Sequence, residues 1–198
     1  MISLPRIALP RPTLPQAALR RLPARRVVVK WLHLAMIPLV FWFMIATPDF
    51  VRWLLGPKGN AINSDIALLF VTLALIWCVD SMTRGMVGRP GPKLSPRLKL
   101  FHYVLHRALI VGLFLVPVGG FLLGLTASRT LKAGGWLPIA PPQHMERANE
   151  IIGKIHLWEF YALGVLAAVH AGFHIWRHVR LKDNALRIMA PRMLHRFL

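Results

Sequence analysis

Cysteine is all but missing from this chain: Cys78 is its one example in 198 residues. An internal disulfide framework and a Cys-rich metal site are therefore excluded. Acidic residues are scarce as well, with seven Asp and Glu against 25 Lys and Arg. No P-loop, GxSxG, HExxH or dinucleotide fingerprint occurs, so the usual nucleotide, acyl-transfer and zinc-protease chemistries lack their residues. There is no internal repeat. No apolar run precedes Arg26, whereas a cleaved signal peptide needs an apolar core of about 7–15 residues before a small-residue cleavage site. The opening segment is thus expected to stay on the chain.

What is present is an unusual pair: 56% apolar residues together with a formal net charge of +18. That much apolar residue excludes a disordered chain. A membrane protein with basic flanks and a nucleic-acid binder with an apolar core both remain, and the location of the charge separates them.

Residues 1–26 hold Pro5, Pro10, Pro12, Pro15 and Pro23 among six arginines and no acid, and read as a basic tail on a membrane surface. Organelle transit peptides are also Arg-rich and acid-free, but they carry more Ser. Apolar spans follow at about Val27–Ala46, Ala61–Val79, Leu98–Thr126 and Ile151–Trp176. Twenty residues of helix cover about 30 Å, the thickness of the hydrocarbon core. Spans of this length without alternation predict helices, since only helices and closed barrels satisfy the backbone in lipid. The expected fold is all-α: an integral membrane four-helix bundle over 27–192, with a short tail at 193–198.

Four spans place both termini on one side. Nineteen of the 25 basic residues fall on that side, in the tail through Lys30, around the turn from Arg84 to Arg107, and from Arg177 to Arg196. The positive-inside rule makes it cytoplasmic. Basic groups at the ends of spans, rather than in a stripe on a folded surface, leave no nucleic-acid site.

Nine histidines are many for such a chain. Ionisable groups inside a span are costly and usually functional, although a lone one often just bonds a neighbouring helix. Here the depths match. His33 lies six residues past Val27 and His170 six before Trp176, each roughly 9 Å from the cytoplasmic end of its helix. Two histidines from facing helices can grip a b-type haem without a covalent bond. Ala167, Ala168, Ala171 and Gly172 leave room for a flat macrocycle, or serve simple close packing. His156 lies 14 residues before His170, within roughly 40° of the same helix face and about 21 Å away. That suits a second haem near the outer surface, yet no histidine lies between 34 and 101 to partner it. His174 is an alternative ligand one turn nearer the cytoplasm, and His178 is interfacial. His102 and His106 could bond a haem propionate or a quinone head group, or line a polar helix end. His144 and His195 fall in a loop and a tail. No His/Cys/carboxylate cluster has recognised zinc spacing.

With these pieces in place the chain resembles the bacterial cytochrome b561 family over about residues 27–192. The resemblance is carried by Lys30-Trp31-Leu32-His33, by His106 eleven residues before Pro117, by His156 and His170 at a 14-residue interval, and by the closing run from Trp176 through Lys182-Asp183-Asn184 to Pro191-Arg192. It implies a four-helix membrane bundle with two b haems, passing electrons between quinone and another acceptor in a bacterial cytoplasmic membrane. By resemblance His33 and His170 ligate the cytoplasmic-side haem, and His156 is one ligand of the outer haem. The other outer ligand falls at Ile66, which cannot coordinate iron. A glycine four residues on is replaced by Phe70, and an arginine late in helix two by Asp80.

Three functions are expected to compete. The first is a b-type cytochrome with at least one haem on His33 and His170, exchanging electrons with quinone or a partner redox subunit. The second is a structural or assembly subunit of a respiratory or photosynthetic membrane complex, haem optional, docked through its basic tail. The third is a two-haem quinol oxidoreductase that recruits an unexpected ligand such as His144.

Overall fold

The computed structural model describes residues 24–88, 90–190 and 192–197. Most of the expected basic tail, residues 1–23, lies outside the described residues, as do Arg89, Pro191 and Leu198. Helix α1 runs Arg25–Ile45, followed by the short α2, Pro48–Leu55. A 3-10 turn, Gly56–Lys58, leads into α3, Gly59–Arg84. Helix α4 spans Pro96–Thr126. A small antiparallel hairpin of β1, Leu131–Ala133, and β2, Leu137–Ala140, precedes α5, Glu146–Trp176. The chain closes with α6, Ala185–Met189, and a 3-10 turn, Arg192–Phe197.

Four helical segments are long and apolar enough to cross a membrane, and they correspond to the four expected spans. Each begins a few residues before the apolar stretch that announced it, and at α4 a cap marks the start. Ser95 accepts a bond from the Leu98 amide, with Pro96 at the first helical position. Thr47 does the same for Phe50, ahead of Pro48. Proline there forgoes an N–H that has no helical partner anyway. Many large apolar side chains face outward, among them Phe41 and Val165 at 68% and 64% exposure, as a lipid environment requires.

Met36, Phe70, Ala74, Cys78, Leu113, Val116 and Leu163 form the core between the helices. Phe70 is its largest apolar member and is fully buried; its ring meets Phe43 at 5.5 Å and Phe160 at 6.1 Å. One end of the bundle gathers the start of α1, the end of α3, the start of α4 and the end of α5, and is called here the basic end. There Arg25 pairs with Asp80 at 2.8 Å. At the far end the Trp42 indole donates to Asn63 at 2.8 Å, and the Asn149 amide donates to the Leu123 carbonyl at 2.7 Å.

The closing run is a built element. The last helix widens into a π-helical turn over Arg177–Leu181. Lys182 and Asn184 both take left-handed backbone, at φ 48° and 56°. Asp183 between them accepts two bonds from Arg177, at 2.7 and 2.9 Å, and one from the Ala185 amide at 3.0 Å. Arg177 and Asp183 are 0% and 2% exposed, so this pair is shielded from water. Lys93 donates to the carbonyls of Leu181 and Lys182, and Lys30 to that of Ala190. The lysine of the opening Lys-Trp-Leu-His motif thus holds the closing run against α1.

Candidate functional site

A cavity of about 560 Å³ opens inside the basic end of the bundle, within the ~300–1,000 Å³ that small-molecule and cofactor sites occupy. Its wall is overwhelmingly apolar, and the few polar groups on it are mainly imidazoles. His33 enters from α1, His102 and His106 from α4, and His170 and His174 from α5. Gly164, Ala167, Ala168 and Ala171 provide the small residues on α5 that leave the space open.

The matched depths of His33 and His170 produce a meeting of the two rings. Their centroids lie 6.1 Å apart, with planes inclined by 55°. Two imidazoles bound to opposite sides of one metal ion, each nitrogen about 2 Å away, have centroids about 6 Å apart. His170 Nδ1 is buried without a hydrogen-bond partner. A buried polar atom with no partner is rare and points to a missing ligand, ion or water. The edge of Trp77 packs on His33 at 5.7 Å. These residues fit a b-type haem: two nitrogen donors on facing helices, an apolar chamber, and small residues where a macrocycle needs clearance.

His106 joins the same group, its ring edge-on to His170 at 4.7 Å. Its Nδ1 lies 2.7 Å from the His102 carbonyl. A carbonyl only accepts, so Nδ1 carries the proton and Nε2 keeps the lone pair. His102 is buried and packs on His106 at 4.1 Å, while His174 lies 4.5 Å from His170. The sequence placed His102 and His106 only at a helix end. Their convergence with His174 depends on how α4 and α5 cross, and the four-residue spacings on both helices were its sole advance signal.

His156 stands apart from this cluster. Its Nδ1 lies 3.2 Å from the Glu159 carboxylate on the same helix. Gly119 and Gly120 on α4 back onto the pair; a Cβ at Gly120 would come within 3.3 Å of the imidazole. The side of His156 toward the bundle centre meets Phe160, at 5.1 Å, and through it Phe43 and Phe70. None of these three aromatic rings offers His156 a nitrogen donor. His144 sits in the loop before α5 with φ 53°, and His195 bonds the carbonyls of Arg187 and Ala190.

No family model matches the chain, and no solved structure matches it. Among curated proteins it is similar to cytochrome b561 homolog 2 of Escherichia coli (strain K12), 25% identical over 138 residues. That alignment covers 67% of this chain and 70% of the relative. Four membrane-length helices and facing histidines are what a haem-holding membrane bundle requires. The chain is thus similar to a cytochrome b561 homolog and carries four helices of membrane-spanning length, the make-up of a multi-pass membrane protein.

Proposed function

We propose that this protein carries electrons through a single haem held by His33 and His170 near the basic end, exchanging them with the quinone pool or with a partner redox subunit. The observation that carries this is the approach of the two imidazoles across α1 and α5 within an apolar chamber. A haem bound there would be held by His33 and His170 and would supply a one-electron iron couple. The apolar wall excludes water and so lowers the reorganisation that accompanies a change of charge. His106, edge-on to His170, positions that ligand from α4.

Ile66, the Phe43–Phe70–Phe160 plug and the Glu159-bound His156 support one haem rather than two. The charge bias supports a location in a bacterial cytoplasmic membrane, with the basic end and both termini on the cytoplasmic side. Quantitation of haem on the purified protein tests the proposal. One haem per chain is expected, lost in His33→Ala and His170→Ala and kept in His156→Ala. A value near two, or haem retained without His33, overturns it. Loss of haem with intact assembly into a stoichiometric membrane complex would point to the structural-subunit role instead.

A further inference from the structure

We infer that His102, His106 and His174 form a second metal site on the wall of the same chamber, a three-imidazole centre for one zinc-type divalent ion. The inference goes beyond the haem reading, and neither His33 nor His170 is among the donors. The three side chains can each bring one nitrogen to within 4.8 Å of the other two. In a tetrahedral set with metal–nitrogen bonds of about 2.0–2.1 Å the nitrogens lie about 3.3 Å apart. A shift of roughly 1 Å, within the reach of small χ adjustments, closes that difference.

Three further features single this group out from histidines that merely pack. His102 Nδ1 and His174 Nε2 are both buried and have no hydrogen-bond partner. Two unpartnered imidazole nitrogens in one cluster leave donors in search of a cation or a water. His106 has the arrangement expected of a metal ligand: its Nδ1–H donates to a backbone carbonyl, which fixes the tautomer and turns Nε2 outward as the free donor. The donors also come from two helices, an i, i+4 pair on α4 and a single residue on α5, so an ion would clamp those helices together at the basic end.

The donor set decides the class of ion. Three imidazoles with no carboxylate and no thiolate exclude calcium and magnesium, which take oxygen ligands, and suit zinc and its neighbours. Three protein ligands leave a fourth position open toward the cavity, for water or a small anion. Arg177 lines the same wall, but its charge is balanced by Asp183 at 2.7 Å.

Zinc is the probe. The full chain, purified in detergent with its haem, is stripped with a chelator, given one equivalent of Zn2+ and passed through a desalting column. Metal analysis and X-ray absorption at the zinc edge, which is blind to iron, follow. About one zinc per chain with imidazole-nitrogen ligation is expected. Retention should fall by roughly tenfold or more in His102→Ala and in His174→Ala, and should be unchanged in His195→Ala. Elution position and helical circular dichroism confirm that each variant is folded. Wild-type protein that retains no zinc overturns the inference whatever the variants do. So does wild-type retention of zinc in His102→Ala and His174→Ala.

Discussion

Replacing Asp183 by alanine should release the closing run from the bundle. Arg177 is completely buried and makes its two charge-assisted bonds to that one carboxylate, while its Nη1 already lacks a partner. Removing one member of a buried ion pair costs about 3–5 kcal/mol, because the other charge is left uncompensated. The Ala185 amide loses its acceptor too, a loss of about 1 kcal/mol when a helix cap is removed. Opening the run to water is how the stranded guanidinium relieves that cost. Amide protection over residues 185–190 should therefore fall by about three to four powers of ten, with little change in the middle of α4. Hydrogen exchange read by mass spectrometry on detergent-solubilised protein measures it. The double variant Arg177→Met, Asp183→Leu should recover most of the protection, since apolar side chains of similar size can replace a buried pair nearly without loss. A fall of less than about 1 kcal/mol in Asp183→Ala, the scale of an exposed pair, would refute the reasoning.

Gly91→Ala should strain the same pair. A Cβ there lies 2.6 Å from both the Arg177 guanidinium and the Asp183 carboxylate, and a cost of about 1–3 kcal/mol is expected in thermal unfolding. Arg25→Ala, by contrast, breaks a bridge whose members are 28% and 20% exposed, so unfolding followed by circular dichroism should shift by no more than about 1 kcal/mol. Ile66→His alone should leave the haem content unchanged, because Phe70 still fills the bundle one turn away; a rise in haem on that single substitution would show that the aromatic plug yields.

Much of this architecture was legible in the residues. Spans of membrane length and the clustering of Arg and Lys at alternate ends predict four helices, and the equal depths of His33 and His170 predict that they meet. Hydropathy fails where polar side chains still serve a helix. Ser95 and Pro96 start α4 before its first long apolar stretch, and Glu146 opens α5 ahead of Ile151. The β1–β2 hairpin lay hidden in a loop whose Gly134-Gly135 signalled only a turn; both glycines take positive φ, at 59° and 72°. The importance of Asp183 was visible as a motif but not as physics, because its partner Arg177 becomes its neighbour only when the helix ends in a wider turn. The convergence of His102, His106 and His174 is likewise a matter of helix crossing, on which one-dimensional spacing is silent.

The aromatic plug has a consequence for energy conversion. Moving one elementary charge through a potential of 100 mV involves about 2.3 kcal/mol. A bundle with carriers at both ends lets electrons cross that field and either do work or extract it. Phe43, Phe70 and Phe160 fill the stretch where a relay toward the far surface would have to pass. Under the proposed single-haem function, electrons enter and leave at the same end, and the traffic is electrically silent: it neither charges the membrane nor is slowed when the membrane is charged.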